Sequence, residues 1–240
     1  MKKVITAENV RMFAYVNDTI CKRPIKGIAV NFMGLGGLTM YDREESEQGK
    51  RMAEQGILYV LPYLNPWCWM NPQAVKTTDE IIDAVMERCG LTDVPIVSTG
   101  GSMGGLSALI YTRYAKRTPA ACVANCPVCD LPYHYTERPD LPRTLYSAFG
   151  TADAETLEDA MKKASPLHLA LAKDMPKAKY VIFHCEADEM VNKQQHSDRL
   201  VAALKEFCDV EYYGVPDRRH CDLSEEMAAL YEQKIIQAVE

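Results

Sequence analysis

The sequence predicts an α/β fold, a mostly parallel sheet covered by helices on both faces. Three observations carry this. Short runs of β-branched residues alternate with helical patterns of ten or more residues along most of the chain. The 240 residues are enough for one sizeable core. No repeat, low-complexity tract or Gly/Ser/Pro-rich linker interrupts the rhythm, so residues 1–240 are expected to form one domain.

The elements follow in order. VRMFAYV (10–16) reads as an antiparallel strand at one edge, and IKGIAVNFM (25–33) as the first parallel strand. YDREESEQGKRMAEQ (41–55) reads as a polar helix and GILYVLPYL (56–64) as a strand. TTDEIIDAVMERCG (77–90) reads as a helix with a capping box, Thr77 and Glu80, and a stop at Gly90. VPIVSTGG supplies a buried strand, and a helix follows from Met103. AACVAN (120–125) and KYVIFHC (179–185) are strands, and VNKQQHSDRLVAALKEFC (191–208) is a helix. DVEYYGV (209–215) is the last strand and SEEMAALYEQKIIQAV (224–239) the last helix. Right-handed crossovers would join the strands in parallel and place ligands beyond their C-terminal ends. Residues 131–173 break the pattern with several prolines and short helical candidates, and read as an insertion or lid over the strand ends.

Composition excludes several function classes. The net charge is −6 and no Lys/Arg cluster is long enough to track a phosphate backbone, so nucleic acid is not an expected partner. No apolar run approaches the ~20 residues of a membrane helix, and no apolar stretch follows the two N-terminal lysines as in a signal peptide. Nine cysteines, an odd number placed mostly within elements, suit free thiols in a cytoplasm.

The chemistry concentrates at Gly100-Gly101-Ser102-Met103-Gly104, which fits G-x-S-x-G between a strand and a helix. In this nucleophile elbow the sharp turn lifts a serine hydroxyl above the sheet, and the helix N-terminus offers amides to a developing oxyanion. The competing reading is a glycine turn with a capping serine. A serine hydroxyl needs a base and the base an orienting acid, in the chain order Ser, Asp or Glu, His. HCEADEMV (184–191) supplies Asp188, with Glu186, Glu189 and Asp217 as rivals, and VPDRRHCDL (215–223) supplies His220. Both loops leave C-terminal strand ends. A second oxyanion donor beside the Met103 N–H is expected from the glycine loop NFMGLGG (31–37), Leu35 first and Gly34 second.

On these motifs, together with ASPLHL (164–169), the chain from about Ile25 onward resembles the α/β-hydrolase superfamily and, within it, the catalytic domain of prolyl-oligopeptidase-like serine hydrolases and esterases. The resemblance implies an α/β-hydrolase fold, Ser102 as nucleophile, Asp188 as acid, His220 as base, and no cofactor. The sequence departs from the family pattern at three places. Met33 stands where a histidine often opens the oxyanion loop, and Cys185 and Cys221 stand where glycines often follow the two histidines. No β-propeller segment precedes the hydrolase part, which favours a small ester over a peptide as substrate.

Two signals stand aside from this. Cys126-Pro127-Val128-Cys129 is a C-x-x-C, but a second one and a histidine at ligand spacing are missing, so no metal is expected there. PYLNPWCWMNP (62–72) follows a strand end, and Trp67 and Trp69, with Tyr133 and His134 of the insertion, are candidates for a substrate-binding wall. The expectation is a carboxylic ester hydrolase. The alternatives are a peptidase or amidase, a thioesterase, and a non-catalytic binding protein on the same scaffold.

Overall fold

A computed structural model describes residues 4–37, 45–150 and 154–240. Seven strands form one sheet in the order β1-β3-β2-β4-β5-β6-β7. They are β1 (Ala14–Val16), β2 (Gly27–Phe32), β3 (Ile57–Pro62), β4 (Ile96–Gly101), β5 (Ala121–Asn125), β6 (Lys179–Cys185) and β7 (Asp209–Val215). Only β1 runs antiparallel, at the edge against β3, and the remaining neighbours pair in parallel. The expected edge strand is therefore present, shortened by a 3-10 turn over Val10–Met12.

Alternation of side chains along the strands divides the core into two layers. Ile28, Val30 and Phe32 of β2 pack with Ile81, Ile82 and Val85 of α2 (Pro72–Cys89) and with Leu106 and Leu109 of α3 (Met103–Tyr114). Ala29, Val97, Val123 and Val181 face the other way, against Met52 of α1 (Glu47–Glu54) and Ile235 of α9 (Glu225–Gln237). Both faces are covered, which is why the central strands read as continuous apolar runs.

Three elements differ from the sequence reading. Helix α2 starts at Pro72, five residues before Thr77, because Asn71 is the cap: its Oδ1 accepts from the Ala74 N–H at 2.9 Å and Pro72 occupies the first turn. Thr77 is thus internal, while Gly90 ends the helix in the left-handed conformation as expected, with φ 68°. The helix expected over 191–208 is instead a π-helical turn (Gln194–Asp198) leading into the short α8 (Arg199–Leu204). Only part of the polar helix at 41–55 lies within the described residues, and there it begins at Glu47, capped by Ser46.

Between β5 and β6 the described residues form four short helices, α4 (Leu131–Glu137), α5 (Leu141–Phe149), α6 (Ala154–Lys163) and α7 (Pro166–Leu171). They are joined to the body by a buried polar cluster. His196 Nδ1 accepts the N–H groups of Cys129 and Asp130, both at 3.0 Å, which leaves the proton on Nε2. That N–H donates to Glu137 Oε2 at 3.0 Å, and His134 donates to the same oxygen. Burial opposes the Glu137 charge, but the two imidazoles outweigh it and hold its pKa at about 2. A depressed carboxylate stabilises the fold above its unfolded pKa and ceases to do so as pH falls toward the folded value. Glu137→Ala should therefore cost about 2 kcal/mol at pH 7, by stranding two buried donors. The difference from wild type in thermal melts should shrink below pH 4 and vanish near pH 2.

Candidate active site

Ser102 is the single residue between β4 and α3. Its backbone, φ 59° and ψ −125°, lies in the region where glycine is usual. Although it occupies the helix N-cap position, its side chain makes no capping hydrogen bond. The capping reading of this serine is thereby removed. The strain is imposed from both sides: Ser102 N–H donates to Asn125 O at 3.0 Å, and Ser102 O accepts from Leu106 N–H at 3.1 Å and Val128 N–H at 3.3 Å.

The flanking glycines are there for close approach. A Cβ on Gly104 would lie 2.1 Å from Phe32 O, and one on Gly100 would lie 2.5 Å from Gly104 O. Helix α3 thus touches the backbones of β2 and β4, and the Met103, Gly104 and Gly105 amides of its first turn have no intrahelical acceptor. Beneath the turn, the hydroxyl of the half-buried Tyr231 of α9 bonds Thr99 Oγ1, accepts from Gly100 N–H at 3.2 Å and donates to Val123 O at 3.0 Å.

Asp188, in the loop after β6, has a fully buried side chain. Its Oδ1 accepts from the Met190 and Val191 amides at 2.8 and 2.9 Å, and its Oδ2 lies 2.6 Å from His220 Nδ1 and 3.4 Å from His184 Nε2. Burial resists the charge, yet the two histidines and the Val191 amide hold the carboxyl well below the usual range. His184 is itself fixed by Ser197 Oγ at 2.6 Å and Val191 O at 3.1 Å. Of the rivals, Glu186, Glu189 and Asp217, none takes this position against His220.

His220 lies in the loop between β7 and α9. Burial disfavours its imidazolium, but the hydrogen bond it donates to Asp188, with Cys126 alongside, pushes its pKa up to about 9. Its neighbour Cys221 attaches this loop to the serine turn. Asn125 O, which takes the Ser102 N–H, also accepts the Cys221 thiol at 3.7 Å, and Asn125 Nδ2 donates to Cys221 O at 3.3 Å. A Cβ on Gly101 would lie 3.1 Å from Cys221 Sγ. The serine, the histidine and the aspartate thus share the rim at the C-terminal ends of β4, β6 and β7.

The glycine loop reaches the same rim. A Cβ on Gly34 would come 3.8 Å from Ser102 Cβ, and Leu35 follows in a turn that Gly37 N–H closes on Gly34 O at 3.0 Å. Gly34 and Met103 also line a small crevice with Met33 and Pro66.

The aromatic candidates separate. Trp69 is fully buried, and its indole N–H donates to Thr144 Oγ1 at 3.0 Å, tying α5 to the body. His134 is buried in the Glu137 cluster. Both face the core, because each has a polar atom that only an interior partner satisfies. Trp67 stays exposed under the Arg143 guanidinium, and Tyr133 is half-buried with its ring against His196.

A cavity of about 470 Å³ is apolar and lies among α2, α3, α5 and α6, with Val75, Ile110 and Ala164 in its wall. Ile110 is two turns along α3 from Ser102, so this cavity is separate from the serine. A polar recess of about 340 Å³ instead adjoins the acid loop, lined by Glu186, Asp188, Asn192, Lys193 and Gln194.

Among the described residues, three groups of side chains bring ligand atoms within 4.8 Å of one another: Cys126/His220/Cys221, Cys126/His184/Asp188 and His134/Glu137/His196. In the last, His196 has no lone pair to give, since Nδ1 is occupied and Nε2 is protonated. In the second, both His184 nitrogens are engaged. Sequence reasoning missed Asn125, His184 and Tyr231. Their partners lie far off along the chain or in a facing element, and only the position of Asn125 at a strand end next to the serine strand could have signalled it.

The strand order, the antiparallel first strand and the serine turn between β4 and α3 define an α/β-hydrolase. Solved structures agree on that fold. An S-formylglutathione hydrolase from Agrobacterium tumefaciens matches with a TM-score of 0.71 at 14% identity, over 94% of this chain and 87% of that one. A thermophilic esterase from the planctomycete Thermogutta terrifontis matches at 0.63 and 19% identity, over 93% and 84%. A puromycin hydrolase matches at 0.69 and 17% identity over 88% of this chain, which spans only 33% of that protein's length. Comparison with curated protein sequences finds no match. The model of the prolyl oligopeptidase family matches residues 80–237, and the chain belongs to that family.

Proposed function

We propose that the protein is a serine hydrolase of carboxylic esters acting through Ser102, His220 and Asp188. The single observation that supports this most is the strained, uncapped Ser102 on the same rim as a histidine whose Nδ1 is 2.6 Å from a buried carboxylate. With the Nδ1 proton directed at Asp188, the lone pair of Nε2 is left to take the Ser102 proton. Ser102 Oγ then attacks the carbonyl, and the developing oxyanion is met by the Met103 amide, with Leu35 or Gly34 as the second donor. The alcohol leaves with the proton from His220, and water activated by the same imidazole releases the acid. His184 and the Val191 amide act as positioning groups for Asp188.

The esterase and the S-formylglutathione hydrolase that share this fold act on ester-type bonds, which supports the ester reading. Membership of a peptidase family favours the amide reading. A panel of p-nitrophenyl esters, thioesters and aminoacyl-β-naphthylamides of graded length separates them. Ester turnover well above amide turnover is expected, and the reverse would make the protein a peptidase.

A pH profile follows from His220. Only the neutral imidazole accepts the serine proton, so kcat/KM should rise with pH to a midpoint displaced above the ordinary histidine value, and fall about tenfold per unit below that midpoint. With the Cys126 thiol held in its protonated form, the Asp188 carboxylate is the standing cause of the upward displacement. A limb centred at or below 6.5 would contradict this coupling.

A further inference from the structure

We propose that Cys126 Sγ, Cys221 Sγ and His220 Nε2 form a binding site for a soft divalent cation of the zinc class, which on binding takes the imidazole away from Ser102. The binding site stands on geometry; its effect on turnover rests on the serine hydrolase reading.

Two loops that are remote in sequence converge here. Cys126 follows β5, Cys221 follows His220, and the ligand atoms lie within 4.8 Å of one another. Cys221 Sγ is 3.7 Å from His220 Nε2. Zinc–sulfur and zinc–nitrogen bonds of about 2.3 and 2.0 Å give tetrahedral edges of about 3.5 to 3.8 Å, so the atoms need only a small inward movement. The histidine is already presented as a metal ligand. Its Nδ1 is hydrogen-bonded to a buried carboxylate, the outer partner that fixes the ring and leaves Nε2 with its lone pair.

The backbone also singles out these two cysteines. Cys126 has φ 44° and Cys221 φ 58°, conformations that a glycine adopts at lower cost, so each thiol is kept against a local penalty of about 1 kcal/mol. Neither takes a chemical step in the mechanism above. Cys126 Sγ instead accepts the amides of Cys185 and Cys221 at 3.3 and 3.4 Å, contacts that would also support a thiolate. Without metal, the Cys221 contact and burial keep the Cys126 thiol protonated. On binding, the two thiols release their protons to solvent and the cation takes two sulfur ligands and one nitrogen, with a fourth position for water. Asn125, whose Oδ1 is buried with no partner among the described residues, holds the Cys221 carbonyl beside it. Hard cations such as Mg²⁺ do not suit a sulfur-rich set.

Cobalt(II) is the probe that needs no turnover. Titrated into the reduced, metal-free protein, it should bind one equivalent and produce a thiolate-to-cobalt band in the near ultraviolet. Cys126→Ser and Cys221→Gly, the latter keeping the backbone conformation, should each weaken that binding at least about tenfold. Zn²⁺ should displace the cobalt and inhibit ester hydrolysis with the same midpoint, and Mg²⁺ should do neither. Absence of the band, or its persistence in the double variant, overturns the site. If the band appears and Ser102 is unreactive toward a fluorophosphonate, the hydrolase reading fails and the metal site stands. If the fluorophosphonate labels Ser102 but cobalt gives no band, the metal site alone fails.

Discussion

Ser102→Ala should abolish ester turnover, lowering kcat by at least about 10⁴-fold while leaving the thermal midpoint within a degree or two. The two halves of this result have separate origins. Activity falls because no other oxygen occupies the turn above the sheet. Stability is unmoved because the hydroxyl caps no amide, so its loss strands no donor. A companion variant sharpens the reading. Ser102→Gly should be equally inactive yet melt about 2–4 °C higher, since glycine accepts φ 59° and ψ −125° without the penalty of roughly 1 kcal/mol that a Cβ brings. Covalent labelling by a fluorophosphonate should disappear in both. Undiminished hydrolysis by Ser102→Ala would remove the serine from the mechanism, and a Ser102→Gly protein that melts lower would remove strain as a feature of the turn.

The largest effect on folding is expected at Gly104. A methyl group there would sit 2.1 Å from Phe32 O and 2.8 Å from Phe32 C, both backbone atoms of the central strand β2. Backbone cannot rotate out of the way as a side chain does, so α3 or β2 must move. Both lie in the largest apolar cluster, through Leu106 and Leu109 on one side and Ile28 and Val30 on the other. Gly104→Ala should therefore cost more than about 4 kcal/mol, a large share of the 5–15 kcal/mol typical of a folded domain. The expected readout is a fall of about 10 °C or more in the thermal midpoint, or insoluble expression. Gly90→Ala is the control: a Cβ there meets nothing within 4 Å, and only the left-handed conformation, φ 68°, is penalised, by about 1 kcal/mol. Comparable melting of the two variants would show that helix and strand are not held in contact as described.

How much of this was legible in the sequence depends on the range of the interaction. The strands from Gly27 to Cys185 were legible because burial on both faces writes itself as continuous apolar runs. The serine turn was legible because tight packing demands glycines at fixed offsets from it. Asp188 and His220 followed from chain order, together with the strands that deliver them. The start of α2 was misjudged because two capping signals compete within six residues: Asn71-Pro72 prevails over Thr77 by placing proline where no amide is needed. The helix expected over 191–208 was overextended because its polar positions are claimed by distant partners. His196 caps the Cys129 and Asp130 amides, and Ser197 meets His184, which favours a π-helical turn there over continuous α-helix. Trp69 reads as part of a substrate wall because composition and loop position do not reveal that Thr144 waits for its indole N–H.

Tyr231 joins parts of the molecule that differ in how firmly they are held. The strand that delivers Ser102 lies at the middle of the sheet and is almost wholly buried, whereas β7 is largely half-exposed at the sheet edge and α9 buries only Ile235 completely. One phenol from α9 reaches beneath the serine turn and bonds two adjacent central strands, Thr99 and Gly100 of β4 and Val123 of β5. Local opening of the periphery withdraws both that pin and the imidazole loop without disturbing the middle strands. Heat and denaturant are therefore expected to disperse the proposed triad before they dismantle the sheet, an opening that begins at the margin around an intact centre.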